Sequence, residues 1–176
     1  MIKQTFVVFC IIALMGCSEK KTNPSQVVLH KNYAEELVHV NKKLVDKESR
    51  DIDNWLKRHN TTALETGTGL RYIVLKKGSG NKAQKGQWAT INYSIYLLDG
   101  TLCYESKKSQ PEKFLIEQDY VESGLHEGIQ LMEVGSKYIL IMPKHLAHGL
   151  LGDDKKIPPL STIIYEVELI KLQDHP

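Results

Sequence analysis

Between Trp88 and Leu97 the side chains alternate with a period of two. Ala89, Ile91, Tyr93, Ile95 and Leu97 fall on one side, and Trp88, Thr90, Asn92, Ser94 and Tyr96 on the other. A helix cannot satisfy that spacing, so the stretch reads as a half-buried strand packed on an apolar layer. Asp99-Gly100 follows it and is the strongest hairpin signal in the chain, so Thr101–Tyr104 should return alongside. A chain with this feature must build an antiparallel sheet.

A second alternation runs through Thr162–Leu172. Ile163, Tyr165, Val167 and Leu169 share one face, and Glu166 and Glu168 lie on a solvated one. Leu70–Lys76 (closed by Gly78-Ser79-Gly80), Lys113–Ile116 with Phe114 inside it, and Lys137–Met142 read as further strands. Ser123 is placed to N-cap a brief helix carrying Leu125, Ile129 and Met132 on one side, ended by Val134-Gly135. Strands around one short helix make an α+β domain.

The N-terminal part has a different organisation. Lys3 precedes an apolar run from Phe6 to Met15 that is too short to span a bilayer permanently, the layout of a secretory signal. It ends in Leu14-Met15-Gly16-Cys17, which resembles the bacterial lipobox. That resemblance implies removal of residues 1–16, lipidation of Cys17 and a tether over residues 17–26. Several acyl chains at about 0.8 kcal/mol per buried methylene make such an anchor permanent. Ser18 carries no inner-membrane retention cue, which points to the outer membrane, facing the periplasm. From Val27 to His59 there is no glycine or proline, and Ala34, Leu37, Val38, Leu44 and Val45 form a stripe at helical spacing. Residues 27–66 are therefore a helical extension, either two helices or one with a kink. It packs on its own domain, or it serves as a homodimerisation arm or a spacer.

Charge and cysteines exclude several functions. The 23 Lys and Arg against 21 Asp and Glu leave a net charge of +2, spread along the chain without a basic block. Charge-driven binding of nucleic acid or membrane is thereby excluded as a default. Cys10 leaves with the signal and Cys17 is lipidated, so Cys103 is the one free thiol and no intrachain disulfide is expected. His126, His145 and His148 share no ligand spacing with a carboxylate or thiol, so no metal is expected.

One set of motifs carries a family resemblance. Tyr93, Asp99-Gly100-Thr101, Gly124 through Met132, Val134-Gly135, Pro143 to Gly149, Ile157-Pro158-Pro159 and Tyr165-Glu166-Val167-Glu168-Leu169 stand in order and at family spacing. From about Gly69 to Leu172 the chain resembles the FKBP-type peptidyl-prolyl isomerases. With the lipobox, the helical arm and the lead-in Glu65 to Tyr72, it looks like the lipoprotein isomerases of Bacteroidetes, including those associated with gliding motility. The resemblance implies a twisted antiparallel sheet wrapped around a short helix, in a domain over residues 67–176, with the pocket between sheet and helix.

Carried over position by position, the resemblance puts Tyr93 and Tyr165 on aromatic walls and Val121 and Ile157 on aliphatic ones. The Ile157 N–H would donate to the substrate carbonyl. Leu125 replaces the usual floor tryptophan, and His148 the usual tyrosine before Gly149. Cys103, Tyr104, Phe114 and Glu122 would contact the substrate. Cys103 stands for the usual phenylalanine, Tyr104 for the usual aspartate, and Glu122 for an aliphatic residue.

The implied reaction twists an X-Pro amide against a barrier of about 18–20 kcal/mol without making or breaking a bond. It therefore calls for no nucleophile, metal or cofactor. A gain of about 10⁴ to 10⁶ asks for roughly 5.5–8 kcal/mol of differential stabilisation. The expected substrates are proline-containing unfolded or exported polypeptides. The altered wall at Cys103, Tyr104 and His148 leaves a second reading open: a weakly catalytic module that binds polypeptides or serves the envelope or motility apparatus.

Overall fold

The computed structural model describes residues 24–107 and 109–175. The signal, Cys17 and the start of the tether lie outside the described residues, and so do the expectations placed on them.

Helix α1 runs Pro24–Arg58 as one helix where the pattern allowed two. Pro24 starts it, because a first-turn residue needs no N–H. The described residues divide into two units, with the boundary between Asn41 and Lys42 inside α1. In the first unit Tyr33, Leu37, Val38 and Val40 are exposed. Among the described residues no helix is long and apolar enough to cross a membrane.

The second unit is an antiparallel sheet with a helix on each face. Its strands are β1 (Leu64–Glu65), β2 (Arg71–Lys76), β3 (Trp88–Leu97), β4 (Leu102–Glu105), β5 (Glu112–Leu115), β6 (Lys137–Met142) and β7 (Ile163–Gln173), and α2 is Ser123–Gln130. They stand in the order β1-β2-β6-β7-β3-β4, and β5 pairs with the first half of β3. β3 and β6 fill the residues that alternation and hydrophobicity predict, and the longer remaining strands shift by one residue. The pair Leu64–Glu65 against Tyr72 and Arg71 was not expected, because two residues carry no period.

Each sheet face buries a different set of residues. On one, Leu125 and Ile129 of α2 and Met132 just after it cluster with Ile91, Ile95, Leu140, Val167 and Leu169, all buried. Gly128 permits the close approach: a Cβ there would stand 2.3 Å from Leu140 Cδ1. On the other, Ile52 and Trp55 of α1 pack with Ile141 and Ile164. This part of the helix does pack on its own domain, while Leu44 and Val45 stay exposed.

Two polar side chains, Glu48 and the buried Arg71, fix that seam. Glu48 accepts from the Lys144 N–H at 2.7 Å, the Lys144 ammonium at 2.7 Å and the Thr162 hydroxyl at 2.8 Å. Arg71 reaches Asp53 at 2.9 Å, Glu65 at 3.1 Å and the Ser49 hydroxyl at 2.9 Å.

Ser123 does not cap α2. The cap position is Glu122, extended at φ −59 and ψ 139 and without a side-chain capping bond. Ser123 Oγ donates instead to the Leu146 carbonyl at 3.4 Å. The Glu122 carboxylate is turned away from the helix end, toward Tyr165 and His148.

Candidate active site

Registry assembles the site. Ile95 on β3 is paired with Tyr104 on β4 and with Tyr165 on β7, so three neighbouring strands present these residues at one level. Tyr93 lies two residues before Ile95, on the same face, its ring centroid 5.6 Å from that of Tyr165 and inclined by 41°. With Phe114 from β5 and Leu125 from α2 they bound a cavity of about 580 Å³. Ile91 and Ile95 form its base, and Val121, Glu122, His148 and Asp153 stand around it.

Each wall tyrosine ends on a carboxylate. Tyr93 donates to Glu112 Oε1 at 2.9 Å, Tyr165 donates to Glu122 Oε2 at 2.9 Å, and Tyr104 donates to Asp153 Oδ2. Burial and then the Glu122 carboxylate hold the Tyr165 phenol far above its ordinary range. Burial and then the bond to Glu112 do the same for Tyr93. The bond to Asp153 raises Tyr104. All three phenols therefore stay protonated and serve as donors, which leaves the carboxylates as acceptors. The hydroxyls of these three walls are thus satisfied by carboxylates.

Asp153 organises the loop that closes the far side. Its Oδ1 accepts the Lys155 N–H at 2.9 Å and the Ile157 N–H at 2.8 Å, the self-bonding typical of aspartate in turns. Burial would raise this carboxyl. The Tyr104 hydroxyl and the Ile157 and Lys155 N–H groups outweigh burial and bring it down to about 2. Gly152, at φ +74, makes the turn possible, because a Cβ there would lie 2.2 Å from the Ile157 carbonyl oxygen. His148 Nε2 lies 2.9 Å from Glu122 Oε1, the carboxylate oxygen that Tyr165 leaves open.

A protein-family model described as FKBP-type peptidyl-prolyl cis-trans isomerase matches residues 79–170. The chain belongs to that family. It is 35% identical over 108 residues to the FKBP-type 22 kDa peptidyl-prolyl cis-trans isomerase of Escherichia coli, covering 61% of this chain and 52% of that protein. It is 33% identical over 107 residues to the Outer membrane protein MIP of Legionella longbeachae, covering 60% of this chain and 45% of that one. The chain thus spans about half the length of these relatives. Among solved structures, the crystal structure of FkpA from Escherichia coli superposes with a TM-score of 0.65 at 27% identity, covering 87% of this chain and 71% of that one.

Within this FKBP-type domain the pocket candidates do not all reach the cavity. Tyr93, Tyr104, Phe114, Val121, Glu122, Leu125, His148 and Tyr165 line it. Cys103 and Ile157 stand behind the wall, 1% and 2% exposed. The Cys103 thiol lies 3.8 Å from the Thr101 carbonyl and 3.6 Å from that of Lys156, so it packs the loop rather than facing a ligand. The Ile157 N–H, expected to meet a substrate carbonyl, is already committed to Asp153.

Sequence reasoning missed Asp153 and Glu112. The signal for Asp153 was present: an aspartate after a glycine in a Gly- and Pro-rich loop is a turn former that binds its own backbone. Glu112 gave no signal, because its partner Tyr93 is 19 positions away on another strand.

Proposed function

We propose that this chain is a peptidyl-prolyl cis–trans isomerase acting on proline-containing segments of exported polypeptides in the cell envelope. The observation that carries the reading is the cavity: an apolar base of Ile91, Ile95, Phe114 and Leu125 under three tyrosines whose hydroxyls are already bonded. A prolyl ring on that base leaves its preceding amide among apolar surfaces. The planar amide, with its charge separation, is poorly solvated there, and the twisted amide loses less. That difference lowers the barrier without a covalent step. The site residues of this reading are Tyr93, Val121, Leu125, His148, Ile157 and Tyr165, with Cys103, Tyr104, Phe114 and Glu122 beside the substrate. Ile157 and Cys103 act from behind the wall.

The envelope reading rests on the lipobox at Leu14–Cys17 and on the printed name of the Legionella relative, an outer membrane protein. Residues 1–16 form the signal, Cys17 carries lipid, 17–26 tether, 27–66 extend and 67–176 isomerise. The lead-in Glu65 to Tyr72 and the arm favour the Bacteroidetes lipoprotein branch. The exposed Leu37 and Val38 suit α1 to pairing with a second copy. Cys17→Ala should move the protein to the soluble fraction, and Leu37→Glu with Val38→Glu should convert dimer to monomer in sedimentation.

The activity test is a proline-limited refolding reaction with the soluble form that starts after Cys17. Micromolar protein should accelerate the slow phase, and Tyr165→Ala should abolish most of that acceleration. No acceleration by the natural chain would overturn the reading. Full activity in Tyr165→Ala would move the site elsewhere.

A further inference from the structure

His126 is buried on α2, outside the cavity, and the isomerisation itself makes no use of it. Both of its ring nitrogens are nevertheless committed. Nδ1 accepts the Glu117 N–H at 2.9 Å, and Nε2 lies 3.0 Å from the Asp119 carbonyl oxygen. A backbone N–H can only donate and a carbonyl can only accept. Nε2 therefore carries the proton, and one imidazole closes two hydrogen bonds to a single turn.

That turn needs holding. Glu117 stands at φ +66, a left-handed position that a glutamate keeps only where its surroundings impose it. The Leu115 N–H donates to Asp119 Oδ2 at 2.7 Å and the Asp119 N–H to the Leu115 carbonyl at 3.1 Å, which closes the turn on itself. Gln130, on the next turn of α2, donates to Glu117 Oε1 at 2.8 Å. One helix thus grips Glu117 by its N–H and by its side chain.

The residues after the turn form a wall of the cavity. Tyr120, Val121 and Glu122 all line it, and α2 begins at Ser123. The far end of this span runs into α2 through the backbone. Its near end, Asp119, is joined to the same helix by His126. The His126 ring also stands edge-on to Phe114, at 62° with centroids 5.6 Å apart, and Phe114 is part of the apolar base. One buried side chain backs wall and base together.

We infer that His126 is a positioning residue for peptide binding: its two bonds to the Glu117–Asp119 turn fix the Tyr120–Glu122 wall on α2 at the place the prolyl segment needs. This rests on the isomerase reading and deepens it. A fixed wall meets the planar and the twisted amide alike, so its contribution falls on KM rather than on kcat. Without the two bonds, a buried N–H and a buried carbonyl lose their partner, and the turn must shift to satisfy them. The wall shifts with it.

The test is kcat and KM for an X-Pro peptide with the form starting after Cys17. His126→Phe keeps a ring beside Phe114 and removes both bonds. KM should rise about three- to thirtyfold, within what two hydrogen bonds supply, while kcat stays within about twofold. His126→Asn sets an amide oxygen where Nδ1 stood, and His126→Gln an amide N–H where Nε2 stood. Each retains one of the two bonds and should give a KM between those of the natural chain and His126→Phe. A merely structural histidine would lower stability on substitution and leave KM unchanged. Independently of activity, imidazole nitrogen NMR of the natural chain at pH 8 should show His126 as the Nε2–H tautomer. The Nδ1–H tautomer, or a natural KM in folded His126→Phe, overturns the inference alone. If His126→Phe does not fold, a natural KM in both the Asn and Gln variants overturns it equally. A natural chain without activity overturns the isomerase reading, and the inference falls with it.

Discussion

The Tyr104 hydroxyl closes on the Asp153 carboxylate across the mouth of the cavity, joining β4 to the loop that ends in Ile157. The contact links residues 49 positions apart and holds a turn that has little packing of its own.

Acid stability should report on this contact. The folded Asp153 carboxyl sits at about 2, below its ordinary value of about 3.9. Below about pH 4 the unfolded chain takes up a proton that the folded carboxylate refuses. The stabilisation is thus complete above that pH and is lost as pH falls toward 2. Asp153→Asn should make urea stability measurably less steep between pH 4 and 2 than in the natural chain.

Trp55 should hold α1 to the sheet. It is buried with Ile52 against Ile141 and Ile164, and its ring stacks on His59 with centroids 3.9 Å apart. Trp55→Ala should cost about 3–5 kcal/mol in urea unfolding, the usual range for deleting a large buried aromatic.

Gly128 should tolerate no side chain. A Cβ would meet both methyls of Leu140, at 2.3 and 2.9 Å, and push α2 from β6. Gly128→Ala should lower stability by about 1–3 kcal/mol, as overpacking does. Adding Leu140→Val should recover part of the loss.

Cys103 should behave as a packed interior group. Burial first, and the Asp153 charge after it, push its thiol up. A thiol reagent at pH 7.5 should therefore label it slowly in the folded protein and at once in urea. Cys103→Phe should cost about 1–3 kcal/mol, because a much larger ring has to enter a position that is 1% exposed.

Local periodicity made most of the sheet legible. Ala89 to Leu97 and Ile163 to Leu169 alternate because one face is buried, and both became long strands side by side. It could not foresee that Ile141 and Ile164 would also be buried from the other face, since that depends on where α1 lands. Tyr93 and Tyr165 looked like core residues by spacing, and only the family resemblance moved them into a pocket. The carboxylates that tether them were illegible, because Glu122 and Tyr165 meet across 43 positions and no local pattern records such a pairing. Glu122 as an uncapped helix start shows the same limit: the pocket, not the helix, determines where its side chain goes.

β7 is the domain's last strand in sequence order, yet it lies between β6 and β3 near the middle of the sheet. Until it arrives, β3 and β6 have exposed inner edges and Tyr165 is missing from the site. Synthesis from the N-terminus therefore cannot complete this domain piece by piece: sheet and pocket must form together, after the final segment is free. Such non-local closure is slow, and it keeps the chain open for longer. A domain proposed to help other proteins through their slow prolyl steps has its own most demanding step in its last strand.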